Sequence, residues 1–397
     1  MSNIIQARYA WLLSALFLAV SFLDLAVYFY EFTKGAVVPK YVYYAFATLS
    51  APLFILNIKK LLYFCTSRFF LIFLLLSILN LIYALAGGMH DNELLYIGIT
   101  RLQYSLLLLI FAFLLTFFQI DKLYSVYFIL SVTLVLFQIV DFVNPGLFLP
   151  IGTDGITVGR AGSTLINPNR AGESLVILSV LSMFFVKKKF RIVLLMMIFL
   201  GVYITFSRSS LLALAMVFFL SYYYNILSRQ QAYFFVFIAA SIVMFIVSGE
   251  AVFNLLSKFI GEAGHVNVMN RIDLFSSLSL QDYSAIERIN LIQWSIAYFL
   301  ESPIFGHGSG YTSIWVERVS THNQHLLMLV EYGLLGYLIF ISFLYFLFAH
   351  FYSKPQLDIE KVLLYLILFF SIFTHNMLDS LYWLVTFALI ARKARLY

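Results

Sequence analysis

Residues 321–351 read THNQHLLMLVEYGLLGYLIFISFLYFLFAHF, and the change of character inside them decides the fold. Thr321 to His325 carries only polar side chains. Leu326 to Phe351 is apolar, with Glu331, Ser342 and His350 as its strongly polar positions. This second part exceeds the roughly 20 residues that an α-helix needs to cross a bilayer. A polar signature thus runs straight into a membrane helix. It also closes the one long polar interruption in the chain, residues 248–325, which reads as a large loop containing surface helices.

Composition extends that reading to the whole chain. Of 397 residues, 62% are hydrophobic and only 11% charged, with a mean hydropathy of +0.94. So few charges cannot coat a soluble protein of this size. The class is an all-α, polytopic transmembrane bundle, expected as a single integral membrane domain over residues 1–397. A β-barrel is excluded because the apolar runs are continuous over roughly 20 residues, not alternating over about 10. The single cysteine, Cys65, excludes an internal disulfide and a cysteine metal cluster. The net charge of +6 comes mostly from short loops and does not point to nucleic acid. Ala10 to Tyr30 is long enough to span and lacks a clear cleavage site, so the first helix is expected to stay.

About twelve spans are predicted, at 10–31, 41–57, 69–87, 100–119, 123–142, 171–186, 192–206, 211–227, 232–247, 326–351, 362–376 and 378–391. Under that count Arg8, Lys59, Lys60, Lys122, Lys187 to Lys189, Arg191, Arg229, Lys354, Lys361, Arg392, Lys393 and Arg395 all fall on one side. By the positive-inside rule this side is the cytoplasm of a bacterial inner membrane protein, with both termini there. Arg160, Arg170, Arg208, Arg288 and His322 then share the external, periplasmic face. Arginines placed against the topological bias are the better functional candidates.

Four stretches could carry chemistry. Arg208 lies in the short Thr205–Ser210 hairpin, either as a snorkelling anchor or as a guanidinium fork aimed at phosphate oxygens. Arg160 and Arg170 flank the Asn167-Pro168-Asn169 turn. Arg170 fits a turn that starts a helix, and Arg160 is open between a loop role and a phosphate or sugar contact. Residues 285–300 have helical periodicity, with Ile289, Ile292, Ile296 and Phe299 on one side and Arg288 near the start. Pro303 and Gly306 end this helix. The glycines at Gly306, Gly308 and Gly310 match neither a dinucleotide fingerprint nor a nucleophile elbow. Ser320 or Thr321 is expected to cap the next helix, placing His322 on its first turn, where the positive helix end would leave it able to accept a proton. His322 and His325 are three apart, but no further ligand set has metal spacing. Arg271 and Arg318 complete the basic groups of the loop, which together suit an anionic, lipid-linked substrate.

From about Arg160 to its C-terminus the chain resembles the O-antigen ligase and polymerase superfamily of bacterial envelope glycosyltransferases. The residues that carry the likeness are His322-Asn323 followed by Gly333 and Gly336, Arg208 with Leu212, and Arg288 ahead of Pro303 and Gly306. Tyr337 stands where ligases often have threonine, and polymerases share the rest of the pattern, so both activities stay open. The resemblance implies a glycan donor on undecaprenyl pyrophosphate and an acceptor that is lipid A-core for a ligase or a second lipid-linked glycan for a polymerase. It implies an inverting transfer without metal or other cofactor. His322 would be the base, Arg208 and Arg288 would offset the leaving diphosphate, and Arg160, Asn323, Gly306 and Gly308 would contact substrate. Membrane lipids are the other expected partner. A flippase is the reading from a different class. It would need charged or broken helices at mid-membrane, and Asp24, Asp141, Glu173 and Asp379 fall near span ends or lack evident partners.

Overall fold

The computed structural model describes residues 3–87, 92–144, 146–149, 160–237, 283–315, 321–354 and 357–396. Most of the expected external loop, with Arg271 and Arg318, lies outside the described residues, as does the end of the expected span at 232–247. In chain order the helices are α1 (Asn3–Phe22), α2 (Leu25–Phe32), α3 (Pro39–Leu56), α4 (Ile58–Cys65), α5 (Arg68–Gly87) and α6 (Asn92–Leu114). They continue with α7 (Tyr124–Val143), α8 (Pro168–Ser182), α9 (Arg191–Ile204), α10 (Arg208–Tyr223) and α11 (Tyr283–Glu301). The last four are α12 (Tyr311–Ile314), α13 (Gln324–Tyr352), α14 (Asp358–Phe373) and α15 (Leu381–Lys393). Residues 229–237 are helical as well, and apart from short 3-10 turns these are the regular elements among the described residues, so the all-helical class is observed.

The chain forms two compact units. The first comprises Met1–Ser21, Lys40–Ile120 and Leu280–Tyr397; the second comprises Phe22–Pro39 and Asp121–Ser279. Each has a short helix that is apolar on nearly every side, which is the pattern of a helix enclosed by others. In the first unit it is α15, buried from Leu381 through Ala391, with α6 and α14 packed against it. In the second it is α8, buried from Ala171 through Ser182 between α7, α9 and α10. Gly172 makes that packing possible: a Cβ there would come within 2.5 Å of Ser210 Oγ.

Five helices are long and apolar enough to cross a membrane, at Asn3–Phe22, Arg68–Gly87, Asn92–Phe117, Ile120–Val143 and Gln324–Tyr352. The pair α3 and α4, bent by 103°, makes a sixth if it counts as one span. This is a multi-pass membrane protein, but the described residues supply five or six such helices rather than twelve. Asp24 takes a left-handed conformation and ends the first of these helices at Phe22, within the run at 10–31. The expected span at 232–247 is described only to residue 237. The helices α8, α9, α10, α14 and α15 have 13 to 16 residues. At 1.5 Å per residue they reach roughly 20–24 Å, short of a hydrocarbon core of about 30 Å.

The amphipathic helix at 285–300 is present as α11 and packs against α13. Leu291 and Ser295 are buried, whereas Ile289, Ile292 and Ile296 are exposed, as is the following Ile304-Phe305. An apolar stripe left open beside a membrane helix suits contact with lipid.

Candidate active site

The N-terminus of α13 is built by Asn323 and not by the residues before it. Asn323 is extended (φ −150°, ψ 120°), and its side chain accepts from the N–H groups of His325 (2.9 Å) and Leu326 (3.0 Å). That is an N-cap, and it puts His322 outside the helix. Thr321 Oγ1 donates to the Asn323 carbonyl at 2.9 Å and so closes the turn around His322. His322 itself is left-handed at φ 51°, a conformation uncommon for residues with a side chain. The expected first-turn position is therefore corrected: the histidine projects from a constrained turn one residue ahead of the cap. His325, by contrast, is drawn into the bundle. Its Nε2 lies 2.9 Å from Ser371 Oγ, between the rings of Tyr337 and Phe340.

Ten residues further on, α13 breaks. Gly333 has φ 61° and ψ −163°, a region open essentially to glycine. The interrupted backbone groups find partners in the loop after α11. Leu334 and Leu335 donate to the carbonyls of Pro303 (2.8 Å) and Ile304 (3.1 Å), while His307 and Gly308 donate to those of Val330 and Glu331 (2.9 Å each). Irregular backbone inside a membrane helix persists only where protein satisfies it in this way. The approach leaves no room for side chains: a Cβ at Gly306 would lie 2.5 Å from Gly333 N, and one at Gly336 would fall on Tyr332 Cβ. The N–H groups of Gly306 and Gly308 are already engaged, by Ser302 and Glu331 carbonyls, which removes them as donors to a substrate. Gly306 is needed where the loop meets the break, and at Gly308 a Cβ would meet only Tyr83, at 3.9 Å.

Under the break lies a buried ionic cluster. Arg101 of α6 donates from Nε and Nη2 to the two carboxylate oxygens of Asp379 at 2.7 and 2.8 Å, a bidentate fork. Its Nη1 bonds Glu331 Oε2 and reaches Ser309 Oγ and Tyr332 Oη at 3.2 Å. Glu331 further accepts from the N–H of Gly310 (3.0 Å) and from the N–H and hydroxyl of Thr312 (3.2 and 2.6 Å). Tyr332 Oη donates to Asn80 Oδ1. The cluster ties α5, α6, α13, the Gly306–Thr312 loop and the residues before α15 into one network. Asp379, one of the acids for which sequence offered only a span end or no evident partner, is held by both edges of the Arg101 fork.

The segment before α15 also reaches the mouth of α13. Gln324 Oε1 accepts from Met377 N–H at 3.0 Å. The His375 ring meets the His322 ring edge to face, with centroids 5.1 Å apart. Thr-His-Asn occurs twice, at 321–323 and 374–376, and the fold brings the two histidines together.

Arg160 and Arg208 belong to the second unit and meet at one turn. The chain passes from α9 to α10 through Thr205, left-handed Phe206 and Ser207, so Arg208 is the first, exposed residue of α10. Arg160 Nε donates to the Thr205 carbonyl at 2.9 Å and its Nη2 to Asn169 Oδ1 at 2.8 Å. Two guanidinium groups therefore sit on the same hairpin, beside a helix N-terminus that already attracts anions. Arg170 pairs with Asp24 at 3.6 Å, next to the Asn167 cap of α8, in keeping with its reading as part of a helix start. Asp141 is also engaged, accepting from the N–H groups of Gly162 and Ser163. Arg288 lies in the first turns of α11.

Residues 192–341 match the model of a family described as O-antigen ligase. This stretch is similar to that family. No curated protein and no solved structure matches the chain. The matched stretch contains, in order, the Arg208 hairpin, Arg288, the Gly306 loop, the His322-Asn323 mouth, Glu331 and the Gly333 break. Arg101, Asp379 and His375 lie outside it, and with Glu331 they are the residues the sequence argument missed. A signal was present. Arg101, Glu331 and Asp379 are lone charges near the ends of apolar runs, all assigned to the same membrane face, and their signs are complementary.

Proposed function

We propose that the chain is a membrane glycosyltransferase that moves a glycan from undecaprenyl pyrophosphate to an acceptor sugar at the periplasmic face of the bacterial inner membrane. Within that class we favour an O-antigen ligase acting on lipid A-core. The observation that carries the proposal is the match to the O-antigen ligase family, together with a strained His322 ahead of the α13 cap inside the matched stretch. Non-glycine residues held in the left-handed region cluster at functional sites.

The chemistry follows from residue types. His322 takes the proton from an acceptor hydroxyl as the oxygen attacks the anomeric carbon; general-base assistance of this kind contributes about 10²–10⁴-fold. The bond from that carbon to the diphosphate breaks on the opposite face, and the diphosphate leaves with the electron pair. Arg208 and Arg288 would offset its charge as guanidinium donors, with Arg160 as a further contact, in the place a metal ion often takes, and attack opposite the leaving group inverts the anomeric carbon. Asn323 holds the turn that presents His322. Both termini are cytoplasmic in this account.

Two other readings have a specific observation behind them. A polymerase would use the same groups on a second lipid-linked glycan, and Tyr337 fits either enzyme. A broken, charged helix such as α13 is also a device of transporters. Here, however, the loop backbone fills the break, and Arg101, Glu331 and Asp379 satisfy one another, which suits a fixed scaffold. The polysaccharide profile of a strain lacking the chain separates the three. Bare core with accumulated lipid-linked polymer indicates the ligase, a single repeat on core indicates the polymerase, and lipid-linked units trapped in the cytoplasm would overturn the enzyme reading.

A further inference from the structure

The far end of α13 carries a second feature, unconnected with glycan transfer. From the Asn323 cap to Tyr352 the helix runs 29 residues, about 40 Å, roughly one membrane thickness away. There a cavity of about 900 Å³ opens between the start of α5, the end of α13 and the C-terminal turn after α15. Arg68, His350, Arg392 and Arg395 line it, and no acidic side chain does. Arg68 is the first residue of α5, so its charge adds to the positive end of that helix instead of opposing it. Its guanidinium lies over the Phe346 ring at 5.2 Å.

The pocket is built, and not a chance gathering of surface charges. After Lys393 the chain turns back: Leu396 N–H donates to the Ala391 carbonyl at 3.0 Å, and the Leu396 carbonyl accepts from Phe69 N–H at 3.3 Å. This reversal holds Arg395 left-handed, at φ 53°, in the position that glycine usually fills at a helix end, while Leu396 is buried beneath it. Glu360, the acidic group on the neighbouring α14, pairs with Lys393 at 3.5 Å. Phe346, Ala349 and Leu396 give the wall an apolar part and Thr66 and Ser67 a polar one; Tyr63 on the wall is exposed, as are Tyr345 and Tyr352 on the last turns of α13, the placing of an interfacial aromatic belt.

We propose that this cavity binds the phosphodiester headgroup of an anionic phospholipid, with Arg68, Arg392 and Arg395 on the phosphate and Phe346 and Leu396 against the glycerol and acyl start. A free phosphate shares the charge chemistry, but Phe346, Ala349 and Leu396 on the wall and the exposed tyrosines beside it favour a lipid. Basic pockets between membrane helices on the positive side recognise such headgroups, and each arginine contributes about fivefold in affinity.

The test uses the purified full-length chain in mixed micelles, with phosphatidylglycerol, phosphatidylcholine or inorganic phosphate as the probe. Retained lipid is read by native mass spectrometry and stabilisation by thermal midpoint. Wild type should retain phosphatidylglycerol over phosphatidylcholine. The triple variant Arg68→Gln, Arg392→Gln, Arg395→Gln should weaken that retention about a hundredfold, and Arg395→Gln alone about fivefold should the triple variant fold poorly. Lys187→Gln, Lys188→Gln, Lys189→Gln removes the same charge elsewhere and should leave retention unchanged. Equal retention of both lipids, an unchanged preference in Arg395→Gln, or stabilisation by inorganic phosphate alone would overturn the proposal.

Discussion

Replacing Gly333 by alanine tests whether the break in α13 is a built feature. Its backbone, at φ 61° and ψ −163°, costs a residue with a side chain about 1–3 kcal/mol. The new Cβ would also lie 2.5 Å from the Ile304 carbonyl carbon and 2.6 Å from Gly306 N, both backbone atoms with little freedom to move. Relief requires the loop to withdraw. That weakens the four backbone hydrogen bonds that join Pro303–Gly308 to Val330–Leu335, each worth about 1 kcal/mol net. Losing half of them brings the total to roughly 3–5 kcal/mol. Gly35→Ala is the control: Gly35 is also left-handed, at φ 89°, but its Cβ would meet nothing closer than 3.6 Å, leaving only the conformational cost of about 1 kcal/mol. In thermal unfolding of the purified proteins, Gly333→Ala should lower the midpoint at least twice as far as Gly35→Ala. Equal shifts would refute the argument that the loop and the break depend on each other.

Glu331→Gln turns one of the two accepting oxygens, each of which takes two hydrogen bonds, into an NH2 donor and leaves Arg101 with one carboxylate; breaking a buried pair of this kind costs about 3–5 kcal/mol, visible as loss of folded protein by size-exclusion chromatography. Asn323→Ala should cost about 1 kcal/mol from the lost cap, and Asn323→Asp should restore the midpoint in thermal unfolding. Arg208→Lys keeps the charge but loses the planar fork, so transfer should fall at least tenfold at unchanged protein level, measured with lipid-linked donor and acceptor.

The class was legible because a membrane imposes it: apolar runs near 20 residues long leave little alternative to helices. The lengths of the helices were less legible. The apolar runs at 171–186 and 378–391 correspond to short helices, Pro168–Ser182 and Leu381–Lys393, enclosed by neighbours, so part of their apolar character serves tertiary burial. At the site, Gly333 and Gly336 could be picked out as a pattern, but their reasons could not: for Gly333 it is the approach of a loop some thirty residues earlier in the chain, and for Gly336 the Tyr332 side chain beside it. His322 was placed on the helix because Thr321 is a good cap; Asn323 is a better one and takes the position. The Arg101 cluster stayed hidden because its members are separated by more than 200 residues in sequence.

The central claim is that His322 carries the proton in glycan transfer, and one substitution addresses it. His322→Gln keeps polarity and approximate size but cannot act as a base. The measurement is transfer by the purified protein from lipid-linked donor to acceptor, at pH 5 to 9, with donor binding followed in parallel. The account predicts a loss of at least a hundredfold in transfer with donor binding retained, and with the pH profile of the residual activity flattened. Transfer within a few fold of wild type across that range would contradict it.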